Sequence, residues 1–192
     1  MAKPGSARDG TNTALASHTM GFICARCHGS LISDGDELLC SVCDRRYPIV
    51  DGIPILSGLA GDDPATVYKR RQIEFFDGEA AEFEITRPRG QARFYGWLMT
   101  EKFRRSVRGL ESRLPGATVL TVCGGSGMDA EYLARRGAAV VASDLSLGAA
   151  QRAVERGRRC GRPIGAVVAD VEHLPYADCS FDMVYVTTDC TT

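Results

Sequence analysis

The chain has 192 residues, 44% of them hydrophobic and 24% charged, with a formal net charge of −1. Those proportions suit a soluble globular protein of one or two domains, and the balanced charge sets the whole chain apart from strongly basic nucleic-acid binders. No apolar run approaches the roughly 20 residues that a bilayer-spanning helix needs.

Residues 1–19 are rich in Ala, Ser, Thr and Gly and lack the apolar core of a signal peptide. They read as a disordered leader, with a transit peptide as the alternative. Without a secretion signal the expected compartment is the reducing cytoplasm, where paired Cys-x-x-Cys units favour metal over disulfides. Residues 20–57 hold two such units, Cys24/Cys27 and Cys40/Cys43. The two-residue spacing lets both sulfurs of a turn face one ion, so four thiolates predict tetrahedral zinc; iron in a rubredoxin-like site, or two disulfides, are the alternatives. A unit this small needs such a staple to fold. His28 follows Cys27 directly and is assigned to the surface, because four cysteines already fill the shell. Asp34-Gly35-Asp36 signals a hairpin, and the Tyr47–Leu56 segment predicts a short strand, a turn and an apolar lid. The ribbon is expected to act as a folded cap or docking module that offers a surface to a protein partner.

Residues 58–114 read as a linker, Gly58 to Pro64, followed by helices broken near Arg87-Pro88-Arg89-Gly90. Phe94, Trp97, Leu98, Phe103, Val107 and Leu110 recur at helical spacing, which places Trp97 in a core or an interface. Basic residues dominate from Arg87 to Arg113, with only Glu101 and Glu111 against them. They read as the solvated face of amphipathic helices, with an RNA-contacting patch as the alternative.

From Pro115 the pattern changes to alternating strands and helices. Strands are predicted at Ala117–Val122, Ala139–Ala142, Gly165–Ala169 and Phe181–Val186. Helices are predicted at Met128–Arg136, stopped by Gly137, and from Ser146 as cap through Arg158. Strands apolar throughout argue for an α/β architecture with a parallel sheet covered on both faces. The first strand ends in Cys123-Gly124-Gly125-Ser126-Gly127, a glycine-rich turn over which a ligand can approach bare backbone. The helix behind that turn would offer free N–H groups and a positive dipole end. Asp144, followed by Leu145, stands at the tip of the second strand, where an acid can accept hydrogen bonds from ribose hydroxyls. Helix capping beside Ser146 is its alternative role. Gly125-x-Gly127-x-x-Ala130 also fits the dinucleotide pattern of dehydrogenases, so a nicotinamide oxidoreductase is a competing reading.

The downstream segments Asp170-Val171-Glu172-His173-Leu174-Pro175-Tyr176 and Ser180-Phe181-Asp182-Met183-Val184-Tyr185-Val186 separate the two. Together with the glycine loop they resemble class I S-adenosylmethionine-dependent methyltransferases of the type 11 kind, from about Val119 to Val186. Gly21 to Leu56 resembles the zinc ribbons that accompany such domains. The resemblance implies cofactor contacts from Cys123, Gly125, Gly127, Asp144 and Leu145, from Asp170 to the adenine amino group, and from the backbone N–H of Val171 to the ring. It implies direct displacement of the cofactor's methyl group by a small-molecule or RNA acceptor, with no catalytic side chain assigned; His173 is a candidate general base by residue type alone. Two positions depart from the family loop: Thr121 stands where an acid is usual and Cys123 where glycine is usual. Cys123 reads as a small buried cysteine, with a nucleophile as the alternative.

The resemblance also implies a seven-stranded sheet in the order 3-2-1-4-5-7-6. This sequence supplies the first four strands of a truncated Rossmann-like sheet in residues 115–192, which leaves the fourth as an apolar edge. The last residues, Thr187-Thr188-Asp189-Cys190-Thr191-Thr192, read as a frameshifted tail. Loss of one base from a coding sequence for His-Asp-Gly-Leu-His-His yields that hexapeptide. The expectation is therefore a truncated or frameshifted methyltransferase, with a non-catalytic zinc-ribbon module and degenerate cofactor domain as the alternative.

Overall fold

The computed structural model describes residues 21–59, 61–86 and 92–186, without the side chains of residues 78–86, 92, 93 and 95. The expectations for the leader, for the helix break at 87–90 and for the tail at 187–192 lie outside the described residues.

The N-terminal unit is a meander of four antiparallel strands: β1 (Leu31–Asp34), β2 (Glu37–Cys40), β3 (Arg46–Val50) and β4 (Ile53–Pro54). The predicted hairpin is present, with Asp34 paired to Glu37 and Gly35 at φ 63°, the left-handed region in which glycine is unstrained. Two helices follow, α1 (Pro64–Thr86) and α2 (Ala92–Ser106). The C-terminal unit contains β5 (Thr118–Val122), α3 (Met128–Ala134), β6 (Ala139–Asp144), α4 (Leu147–Arg159), β7 (Ile164–Val168) and β8 (Met183–Val186). Its sheet is parallel throughout, in the order β7-β6-β5-β8, which is third-second-first-fourth in chain order. β8 is the outer strand among the described residues, and Val184 and Val186 on it are exposed.

The period of two along the strands sorts the core into two layers. On one face Val119, Val140, Ala142, Ile164 and Tyr185 pack with Phe103 and Val107 near the end of α2, Leu133 of α3 and Ala153 of α4. On the other face Leu120, Val122, Val141 and Val167 pack with Cys24, Cys40, Tyr47 and Leu56 of the N-terminal unit. A buried parallel sheet requires both faces covered, and here the ribbon supplies one cover. It is joined to the sheet by backbone as well. Ile55 bridges Val168 in parallel, the Leu56 N–H donates to the Val168 carbonyl at 2.7 Å, and the Ile23 N–H donates to the Pro175 carbonyl at 3.0 Å. The ribbon therefore shares its core with the sheet, although the sequence marks a linker after Leu56.

Trp97 departs from expectation. It is 60% exposed and stacks on Phe94, itself 71% exposed, at 5.9 Å between ring centroids. Phe103 and Val107 hold the buried end of that apolar row.

Candidate cofactor and metal sites

The four cysteines converge. Their sulfurs all lie within 4.8 Å of one another, with Cys24 to Cys43 at 3.7 Å and Cys27 to Cys40 at 3.5 Å. Sulfurs bound to one tetrahedral zinc at about 2.3 Å would stand roughly 3.8 Å apart, whereas a disulfide requires about 2.05 Å. The two knuckles repeat one geometry. In each, the N–H two residues after the first cysteine points at its sulfur, Arg26 to Cys24 and Val42 to Cys40, both at 3.4 Å. In each, the residue after the second cysteine, His28 or Asp44, turns left-handed. Tyr47 sends its hydroxyl to Cys24 Sγ at 3.1 Å. Burial opposes ionisation of Cys24, but the Tyr47 hydroxyl and backbone N–H groups bring its pKa down to about 6. His28 is exposed and outside the cluster, as the sequence predicts. The donor set fits a closed zinc-ribbon site.

The glycine loop leaves β5 at the C-terminal edge of the parallel sheet, where ligands of open α/β sheets bind. Three of its residues have positive φ: Cys123 (53°), Gly125 (53°) and Gly127 (74°). A side chain at Gly125 would meet nothing within 4 Å, so the backbone there faces open space. Gly127 serves packing: a Cβ there would stand 2.6 Å from Ala153 Cβ, so glycine lets α3 start against α4. Asp144 performs both roles weighed for it in the sequence. Its Oδ2 accepts from the Gly125 N–H and its Oδ1 from the Ser146 N–H, each at 3.0 Å, while Ser146 caps α4 by accepting from the Ala149 N–H. Burial pushes the Asp144 carboxyl up from the usual carboxylate range. Leu145 and Val171 are half-buried beside Asp144 and Asp170.

Asp170 ends β7 with its side chain 3% exposed. Its Oδ1 accepts from the Glu172 N–H at 3.1 Å. Its Oδ2 holds the Lys69 ammonium at 2.6 Å, and Lys69 also pairs with Glu172. His173 lies in the same turn, exposed, with Nδ1 3.8 Å from Asp170 Oδ2. Cys123 is half-buried at the end of β5.

Three residues of this region escape a reading of the sequence. Asp129, in the first turn of α3, is 2% exposed; both its oxygens crowd Gly124, and Oδ2 has no hydrogen-bond partner. Burial, and secondarily the charge of Asp144, raise its pKa to about 6. The signal for it was an acid set among the apolar positions Ala130 and Leu133 of a short helix. α3 has seven residues, and its first turn carries Asp129 and Glu131, which corrects the expectation of an anion-attracting helix end behind the loop. Lys69 and Asp77 come from α1. Asp77 accepts from the Ser146 hydroxyl and, at 3.2 Å, from the Gly148 N–H. No local pattern marks residues whose partners lie so far along the chain.

Residues 119–191 match the family model described as a methyltransferase domain. A demethylmenaquinone methyltransferase of Renibacterium salmoninarum is 34% identical over 111 residues, which cover 58% of this chain and 43% of that protein. A second, from Thermobifida fusca, is 39% identical over 72 residues, covering 37% of this chain and 30% of that protein. The chain thus spans under half the length of these curated relatives. Among solved structures, the magnesium protoporphyrin IX methyltransferase of Synechocystis with bound S-adenosylmethionine superposes with a TM-score of 0.47 at 22% identity, covering 66% of this chain and 62% of that one. The segment from Val119 is a methyltransferase domain of the class I S-adenosylmethionine-dependent type, preceded by a zinc-ribbon unit. No described helix is long and apolar enough to cross a membrane.

Proposed function

We propose that this chain binds S-adenosylmethionine at the C-terminal edge of β5, β6 and β7 and takes part in methyl transfer. The observation that carries the choice of cofactor is the acidity of the glycine loop. Asp129 packs under Gly124 and Asp144 bonds Gly125, so two carboxylates stand where a dinucleotide would bring its pyrophosphate. Such a loop repels phosphate and suits a ligand whose near end is an ammonium group. The open face of Gly125 and the acids at the tips of β6 and β7 fit the remainder of the molecule.

When bound, the cofactor supplies an activated methyl group on sulfur. The chain supplies position. Asp144 fixes the glycine loop through the Gly125 N–H and, with Leu145, lies at the ribose end. Asp170 and the Val171 N–H lie at the adenine end. Cys123 and Gly127 shape the loop at the methionine end, Cys123 at its start and Gly127 through its packing on α4. Alignment and exclusion of water are what a displacement with an activated leaving group needs from a protein.

Zinc in the four-cysteine site would hold the ribbon against the sheet face beneath that loop. Its role here is structural, since four protein sulfurs leave no open position. For the acceptor we propose a small molecule rather than RNA. The names of the two curated relatives favour it, and so does the pairing of the basic helix: Arg104 and Arg105 are both bonded to Glu101. Calorimetry of the zinc-loaded chain with S-adenosylhomocysteine and with NAD tests the reading. Binding of the first and not the second supports it; binding of NAD alone refutes it.

A further inference from the structure

Helix α1 lies across the cleft that the proposed cofactor would fill, and it is fastened at both ends of the adenosine stretch. Near its start Lys69 pairs with Asp170 and Glu172. Two turns later Asp77 accepts from the Ser146 hydroxyl and the Gly148 N–H at the start of α4. The eight residues from Lys69 to Asp77 span roughly 12 Å of helix, the reach from the tip of β7 to the helix that follows β6. The fit at the second fastening is close: a Cβ on Gly148 would stand 3.0 Å from Asp77 Oδ1.

The Lys69 contact is not a loose surface pair. Its side chain is 13% exposed and that of Asp170 is 3% exposed. Burial works against the ammonium, but the hydrogen bonds to Asp170 and Glu172 outweigh it and hold Lys69 above the ordinary lysine range. One Asp170 oxygen is committed to the Glu172 N–H at 3.1 Å and the other to Lys69 at 2.6 Å. The acid assigned to adenine recognition is thus engaged by the protein itself.

We infer that Lys69 is a positioning residue of the cofactor site: it latches α1 onto Asp170 and Glu172, and a ligand amino group must displace it from Asp170 to bind. The inference rests on the assignment of Asp170 as the adenine-side acid. It makes affinity for the cofactor a difference between two partners of one carboxylate, and it places the control of that affinity on a helix outside the methyltransferase match.

The test is calorimetry of S-adenosylhomocysteine against the full zinc-loaded chain and its Lys69→Met and Lys69→Arg variants, with thermal unfolding to establish that each is folded. Lys69→Met leaves Asp170 Oδ2 open, and the ligand should bind about tenfold more tightly, the scale of one charge-assisted hydrogen bond. Lys69→Arg keeps the pair and should match the parent. Raising salt from about 50 mM to about 500 mM screens the latch, so it should tighten binding to the parent and leave Lys69→Met unchanged. Asp77→Asn loosens the other fastening and should shift affinity the same way, should Lys69→Met fail to fold. Equal or weaker binding by Lys69→Met, with the parent binding, overturns the latch alone. If neither binds, the cofactor assignment falls and the latch falls with it.

Discussion

Gly127→Ala should be among the most damaging single-methyl additions this fold can receive. The residue has φ 74° and its Cβ would lie 2.6 Å from Ala153 Cβ and 2.8 Å from Ala153 Cα, on a helix residue with no exposed surface. The left-handed backbone costs an alanine about 1–2 kcal/mol. Overlap of about 1 Å against a packed helix costs about 1–3 kcal/mol more, because neither helix can retreat without opening the core. The sum, about 2–5 kcal/mol, is a large share of the stability of a domain this size. Urea unfolding of the full zinc-loaded chain reads it directly. A double-mutant cycle separates the two parts: Ala153→Gly removes the clashing methyl, so Gly127→Ala should cost about 1–3 kcal/mol less in that background. The reasoning is refuted by a Gly127→Ala variant of unchanged stability, or by the same cost with and without Ala153.

Cys123 holds φ 53° without being glycine, so Cys123→Gly should stabilise the fold by about 1 kcal/mol through relief of backbone strain, as read by urea midpoint. A destabilised variant would assign the side chain a packing role that outweighs the strain. Asp129 titrates near 6 when folded, against 3.8 as the ordinary value, because its carboxyl is buried. The folded state therefore binds the proton more tightly, and stability should fall by up to about 3 kcal/mol as pH rises from about 4 to about 6, then level off. Asp129→Asn should abolish that fall, and an identical pH profile in the variant would contradict the burial argument. Tyr47→Phe removes the hydroxyl on Cys24 Sγ and should weaken zinc binding about 10–100-fold in a chelator competition; unchanged affinity would exclude the contact as a support of the ligand. Chelation of zinc should also lower the melting temperature of the whole described core, since Leu120, Val122, Val141 and Val167 lose their cover. A sheet that melts unchanged without metal would show that the ribbon is dispensable.

The sheet was legible in the sequence because its signals are local. Val119–Val122, Val140–Ala142 and Ala166–Val168 are apolar without interruption, and the turns between strands and helices are marked by glycine or a capping serine. The cysteine site was legible for the same reason: the two spacings alone bring the sulfurs together. The second cover of the sheet was not legible. Nothing in Tyr47–Leu56 says whether its apolar residues face a ribbon core or a neighbouring sheet, and the structure puts Tyr47 and Leu56 against Val122 and Val167. The periodicity that placed Trp97 in a core was right about the helix and wrong about its depth. Only Phe103 and Val107, at the end of that row, reach the sheet. Lys69 was invisible because a lysine on a polar helix reads as solvated until its partner on β7, 101 residues away in sequence, is known.

The account turns on the place where the cofactor binds, and amide chemical-shift mapping tests that place without an assay of transfer. Uniformly nitrogen-labelled, zinc-loaded protein is titrated with S-adenosylhomocysteine and the backbone N–H signals are followed. Shifts concentrated at Cys123–Gly127, Leu145 and Val171, extending to Lys69 on α1, are the predicted result. Saturable shifts elsewhere with those amides unmoved, or no shifts at millimolar ligand, would contradict it.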